Sequence, residues 1–349
     1  MLRPFRYLFF WILPISAYLS VYLSGWWSFT ALAVAFGLIP FIELILSPDS
    51  TNADAKEEKS RLDNILYDFV LYSALLAQWG MVFYFLYAAT TNDWSTIEVV
   101  GNITALGLMC GVAGINVAHE LGHRHTRIER IMAQSLLLTS LYMHFYIEHN
   151  KGHHRYVATP EDPSSARYRE PLYLFWIRAV TTGYLSAWKI QLMELKASGK
   201  SFFSWANTML IFQVIQLSAV LLLFVFFPVT VALYCIGGAV LGFILLETVN
   251  YIEHYGLQRK KLTETLYEKT KPIHSWNSNH LMGRLLLFEL SRHSDHHYAP
   301  QRKYQVLKHF DHSPQMPTGY PGMMLLSLIP PLFFGVMDRE LKKQQLEFH

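Results

Sequence analysis

Six stretches of this chain run for about twenty residues with almost no charge, and no other feature restricts its folding so severely. They are residues 7–24, 27–46, 65–89, 97–118, 205–228 and 229–251. An α-helix of that length matches the hydrocarbon core of a bilayer. Backbone N–H and C=O groups find no water there and must bond to one another. Of the 349 residues, 52% are hydrophobic and only 16% charged, against about a quarter charged in soluble domains. The chain is expected to be an all-α integral membrane protein with six transmembrane helices. Residues 1–349 are expected to form one membrane-bound domain, because no internal repeat, low-complexity run or linker interrupts them.

Other classes are excluded by simple counts. The two cysteines, Cys110 and Cys235, both lie in apolar runs, so neither a disulfide framework nor a CxxC metal site is available. A net charge of +3 is too small to suggest nucleic acid as a partner. The N-terminal apolar run is as long as a span and is followed by others, unlike a signal peptide. Arg3, Arg6, Lys56, Lys59 and Arg61 all fall on one side of the first four spans, and the opposite turns carry no Lys or Arg. The positive-inside rule then puts both termini in the cytoplasm of a multi-pass inner-membrane protein. Two apolar segments are ambiguous, residues 131–147 and 172–195. The second carries Arg178, Lys189 and Glu194 and is expected to lie along the interface. The first is likewise expected to stay on the cytoplasmic side, where it can dip into the bilayer edge, because the polar boxes on either side of it must share a face if they build one site.

Those boxes are rich in histidine. They hold His119 and His123; His149, His153 and His154; His254; and His293, His296 and His297, nine of the sixteen histidines. A buried imidazole must be hydrogen-bonded or ligated. In a helix His149 and His153, at i and i+4, would share a face and direct their nitrogens to one point. Imidazole suits Fe, Zn, Cu and Ni alike, and nine rings exceed what one ion can use, so two metal ions fit. The plain alternative for any single box is a solvated His-rich loop. In the sixth span Glu247, Asn250 and His254 form one stripe, as do Asn116, His119 and His123 in the fourth. Acids and amides inside spans are costly and point to function. Gly107 and Gly111, with Gly238 and Gly242, are spaced for close packing of those two spans, although glycine is also common in membrane helices generally. Glu120, Glu148, Asp162, Glu253 and Asp295 stand beside the boxes and are candidates to receive the second N–H of a ligating histidine, or else are solvated charges at helix ends.

One box also admits a different reading. HELGH, residues 119–123, matches the HExxH signature of zinc proteases, with Glu120 as general base. Such a site uses three protein ligands and an open position, and at least six boxed histidines would be left without a role.

Taken together, HELGH, EHNKGHH (148–154), NYIEHYG (250–256) and RHSDHH (292–297) resemble the boxes of the membrane-bound non-haem di-iron alkane monooxygenases, the AlkB-type alkane hydroxylases of the fatty-acid desaturase-like superfamily. NYIEHYG discriminates best, because the wider superfamily shares the His-rich boxes but not this one. The resemblance reaches MPTGYPGMM at 316–324 and covers nearly the whole chain. Arg124 stands where the family often has Lys, and Glu43 where it usually has Asp. The resemblance implies a cytoplasmic di-metal cap with two irons held by the nine histidines, supported by Glu120, Asp162 and Glu253. It implies O2 as co-substrate, terminal hydroxylation of n-alkanes, and electrons from NAD(P)H through a reductase and rubredoxin. A fatty-acyl or aryl-methyl hydroxylase or a desaturase of the same superfamily is the alternative. Without a CxxC the electron carrier is expected to be another protein or a fused domain. Arg124, Arg127, Arg130, Lys151, Arg155, Arg259, Lys260, Lys261, Arg302 and Lys303 are expected to form its docking surface, although positive-inside bias alone explains much of that count.

Overall fold

The computed structural model describes residues 3–264 and 266–347, and nearly all regular structure in it is helical. Six helices are long and apolar enough to cross a membrane: α1 (Arg3–Tyr22), α2 (Gly25–Ile45), α3 (Leu66–Thr91), α4 (Thr96–Gly122), α7 (Thr208–Phe226) and α8 (Val229–His254). They are the six expected spans. Between α4 and α7 stand α5 (Arg127–Thr139) and α6 (Leu172–Ala197). After α8 come α9 (His293–Tyr298), α10 (Tyr320–Ser327) and α11 (Pro330–Glu347). The prolines that interrupt the tail open α11 at its first turn, where the missing N–H costs nothing.

The described residues divide into two compact units, each assembled from three separate stretches. The first comprises Met1–Gly37, Ile65–Gly152 and Gly183–Leu246. Its turns are fastened by local chemistry. Ser95 and Glu98 form a reciprocal capping box at the start of α4, and Glu98 also accepts from the backbone N–H of Gly25 at 2.7 Å, where a positive φ links α1 to α2. The expected approach of the fourth and sixth spans is present. A Cβ on Gly242 would lie 2.4 Å from Cys110 Cβ, and one on Gly107 would lie 2.6 Å from Leu241. Only hydrogen fits at either position.

Residues 131–147 do not stay at an edge. The α5 helix ends at Thr139, whose hydroxyl accepts from Gln78 Nε2 at 3.0 Å, and Ser140 Oγ donates to the Cys110 carbonyl at 3.3 Å. Gln78 and Cys110 lie half-way along α3 and α4. The segment therefore reaches the middle of those helices, correcting the sequence expectation. The physical reason is that polar groups there would have no other partner away from water. The chain then reverses through Leu141, at φ +52.

The second unit comprises Leu38–Asn64, His153–Thr182 and Glu247–His349. It consists largely of short helices and loops pinned by buried polar groups. Arg292 donates to the carbonyls of Leu307 and Thr51, both at 2.7 Å. Trp276, fully buried, donates to the Tyr255 carbonyl at 2.9 Å. Asn277 accepts from the backbone N–H of Ser294 at 2.8 Å and so fixes the first turn of α9. Glu43 accepts from Gly283 N–H at 2.7 Å, and its carboxylate lies where a Cβ on Gly319 would stand, so a side chain at 319 would have to displace that carboxylate.

Candidate metal centre

Four boxed histidines converge inside the second unit. His254 ends α8, His293 and His297 are one turn apart on α9, and His153 begins the unit's middle stretch. None is more than 4% exposed. Their ligand atoms all lie within 4.8 Å of one another. The Nε2 atoms form a chain, with His153 to His297 at 3.2 Å, His297 to His293 at 2.9 Å and His293 to His254 at 3.1 Å.

These contacts fit a metal better than a hydrogen-bond network. An imidazole nitrogen either donates one hydrogen or accepts one, along a single in-plane direction. His293 Nε2 has three neighbours within 3.2 Å, two imidazole nitrogens and Glu253 Oε2. One nitrogen cannot satisfy all three. For metal–nitrogen bonds of about 2.1 Å, ligand nitrogens stand about 3.0 Å apart at right angles and about 3.4 Å at tetrahedral angles. The observed separations bracket the first value. Burial, together with the neighbouring imidazoles, pushes His297 well below the ordinary histidine range, which keeps it neutral and able to ligate.

The surroundings orient the rings. His153 Nδ1 is 2.9 Å from Asp162 Oδ2, and that carboxylate also accepts from Ser165 Oγ at 2.6 Å and from Ser164 N–H at 3.1 Å. Burial works to raise the Asp162 carboxyl, but the facing imidazole and the Ser165 hydroxyl outweigh it and hold it below the usual carboxylate range. An ionised Asp162 keeps the His153 proton on Nδ1 and turns Nε2 to the cluster. The loop carrying these groups is tied down by Arg259, which donates to the carbonyls of Arg155 and Glu268 at 2.9 and 2.8 Å. On α8, Asn250 donates to Glu247 at 3.2 Å with both side chains buried, so the expected stripe leading to His254 exists.

The remaining five boxed histidines fall into two groups. In the first unit His119, His123 and His149 gather, with His123 and His149 Nε2 atoms 3.1 Å apart and the His119 and His149 rings 4.4 Å apart. In the second, His154 and His296 approach at 3.1 Å, again through Nε2. The expectation that His149 and His153 share a face is corrected. His149–His153 is a single π turn, which widens the spiral so that i and i+4 no longer align. His149 joins the group of the first unit and His153 the cluster of the second.

The acids also part company. Asp162 meets the expectation of a carboxylate on a histidine Nδ1. Asp295, fully buried in α9, instead holds Arg302 and the backbone N–H of Lys308. Glu148 lies 3.5 Å from Ser186 Oγ. Glu120 is ion-paired with Arg124 at 2.8 Å. Arg124 is itself buried among Glu120, Asp68 and Glu129, so it is no part of a docking surface; the counter-charges that would make it costly inside supply its partners. Arg302 is likewise paired, and Arg259 is occupied with carbonyls. Arg127, Arg130, Arg155, Lys260 and Lys261 remain exposed, and Lys151 is exposed but paired with Glu194. Sequence reasoning missed Tyr320, whose hydroxyl donates to Glu253 Oε1 at 2.7 Å. It lies in MPTGYPGMM, a motif that signalled kinship but offered no chemistry of its own.

Comparison with known proteins agrees with this arrangement. The sequence profile of the fatty acid desaturase family matches residues 94–327. Alkane 1-monooxygenase 2 of Pseudomonas aeruginosa is 39% identical across 95% of this chain and 91% of its own length. The alkane 1-monooxygenase of Pseudomonas putida is 37% identical, covering 95% and 84%. A xylene/toluene monooxygenase hydroxylase component from Pseudomonas putida is more distant, at 25% identity over 96% and 88%. With buried histidine clusters, six candidate spans and relatives that match along nearly its whole length, the chain belongs to the fatty acid desaturase family and, within it, to the alkane 1-monooxygenases.

Proposed function

We propose that the protein hydroxylates the terminal methyl of n-alkanes to 1-alkanols, at two iron ions held by the nine boxed histidines. The observation that carries the reading is the buried, all-imidazole cluster of His153, His254, His293 and His297 in a chain whose relatives are alkane 1-monooxygenases. These four take one iron. Bound iron supplies the redox chemistry of O2, which with two electrons and two protons places one oxygen atom in the alcohol and the other in water.

The chain's own residues do the rest. Asp162 fixes the tautomer of His153. The buried rings keep bulk water from the ligand atoms. A pocket of about 350 Å³ in the first unit, lined by Trp79, Leu223, Phe226 and Ile236 among other apolar residues, suits an alkyl chain taken up from the bilayer. Because an alkane offers nothing to hydrogen-bond, shape alone must favour attack at its end. The chain carries two cysteines, Cys110 and Cys235, and no CxxC pair to hold an iron of its own. Electrons therefore come from rubredoxin, itself reduced by NAD(P)H through a reductase. It docks through acidic groups on the exposed Arg127, Arg130, Arg155, Lys260 and Lys261. The site and both termini face the cytoplasm from the inner membrane, a reading supported by the distribution of Lys and Arg.

A second reading, hydroxylation of an aryl methyl group, is supported by the more distant xylene/toluene relative. Elemental analysis of purified protein, followed by turnover with reduced rubredoxin, O2 and either an n-alkane or toluene, separates the possibilities. We expect about two irons per chain, a 1-alkanol as the main product, and loss of both iron and activity in His254→Ala. One zinc in place of iron would return HELGH to the protease reading, and benzyl alcohol as the dominant product would favour the second.

A further inference from the structure

We infer that Glu253 is itself a ligand of the metal held by His153, His254, His293 and His297, and that Tyr320 is the positioning residue that aims it. The inference rests on the reading of that cluster as an iron site. It adds an oxygen donor to the histidine set.

Two acids touch this cluster, and they touch it differently. Asp162 meets His153 at Nδ1, the nitrogen turned away from the other rings, at 2.9 Å. Glu253 meets His293 at Nε2, the nitrogen turned toward them, with Oε2 at 3.2 Å. Oε2 is therefore on the ligand side of the ring. Once His293 Nε2 binds a metal it carries no proton and can donate nothing to Oε2. Two lone pairs 3.2 Å apart then repel, unless one cation lies between them. The separation again matches the edge of a coordination polyhedron, about 3.0 Å for bonds near 2.1 Å.

Charge points the same way. Glu253 is 1% exposed, and a buried carboxylate needs compensation. Four neutral imidazoles bring no charge to a divalent ion in the same interior, and the one carboxylate behind them, Asp162, offsets only part of it. Bringing the two together resolves both costs.

The other oxygen is fixed. Tyr320 OH, 1% exposed, donates to Glu253 Oε1 at 2.7 Å, and the Glu253 carbonyl accepts from Trp276 N–H at 2.8 Å. Tyr320 opens α10 directly after Gly319, the residue packed against the Glu43 carboxylate. The MPTGYPGMM motif and Glu43 thereby gain a task, which is to seat the phenol that orients a metal-ligating carboxylate.

The test is Mössbauer spectroscopy of the full-length protein loaded with iron-57, together with iron content, neither of which needs turnover. Wild-type protein should show two ferrous doublets. Glu253→Gln should lose or shift one of them. Tyr320→Phe should keep both irons and shift that same doublet. Asp162→Asn, which changes a group that meets the cluster through His153 Nδ1, supplies the scale for an outer-sphere effect. A Glu253→Gln shift no larger than that of Asp162→Asn overturns the inference. If Glu253→Gln does not fold, Tyr320→Phe decides, since an unshifted doublet overturns the inference and a shifted one supports it. Wild-type protein that binds no iron would overturn the iron reading of the cluster, whereas two doublets indifferent to residue 253 would remove only this ligand.

Discussion

His153 has two ring nitrogens and one task for each, and Asp162 decides between them. The carboxylate holds the Nδ1 proton, and on the proposed reading this leaves Nε2 for the metal. Asp162→Asn should lower iron affinity about 10- to 100-fold, the usual effect of losing such a partner. Competition with a graded series of chelators measures it, and wild-type affinity in the variant would show that Asp162 does not orient the ring. Sequence proximity alone could not rank the acids. Asp162, nine residues from His153, turns toward it, whereas Asp295, two residues from His293, turns to Arg302 and Lys308. The direction of a short side chain depends on φ, ψ and rotamer, which a spacing does not record. Arg124 makes the same point. Its neighbours in sequence suggested a cationic surface, but the acids that surround it come from α3, α4 and α5.

At the scale of elements, the three π turns among the described residues precede or enter stretches that carry the site's polar residues. One π turn, Val34–Leu38, precedes Glu43; a second, Cys110–Asn116, precedes His119; the third, His149–His153, is within a box. A π turn is an α-helix holding one extra residue, and it changes the face on which every later side chain emerges. Deleting Asn150 should return the third turn to α geometry and rotate His153 and His154 by about 100° relative to the preceding residues. Purified protein should then hold at most half of the wild-type iron. Full iron content in the deletion variant would mean that the turn has no part in placing the ligands. The sequence carries the i, i+4 pattern of this box in full, yet misassigns its geometry, because hydropathy and spacing do not reveal a single inserted residue.

For the whole molecule, the many buried neutral histidines make acid a common threat. Burial depresses His274 to about 4, and burial with neighbouring imidazoles depresses His297 as well. Between about 6.5, the ordinary histidine value, and about 4, the unfolded chain binds protons that the folded chain does not. Unfolding is therefore favoured as pH falls through that window, and stability rises with pH across it. Thermal unfolding of metal-free protein in detergent should show a midpoint falling by several degrees from pH 6.5 to pH 4. Substituting His274 by asparagine should flatten part of that slope. A midpoint insensitive to pH over this range would show that the buried imidazoles are not held neutral by the fold. Protons compete with metal for the same nitrogens, so iron should be lost in the same direction.

The sequence by itself determined the spans, because twenty uncharged residues have few stable states other than a membrane helix. It also singled out nine histidines in four boxes, each of which approaches another of them in the structure. Only the tertiary structure decided how they divide. His153, His254, His293 and His297 come together from separate stretches of chain, and His149 goes elsewhere although it lies four residues from His153. The same holds for Glu253 and Tyr320, 67 residues apart, and for Gln78 and Thr139, 61 apart. Partners at such distances are chosen by packing and by the need to satisfy buried polar groups, and neither is written in local spacing.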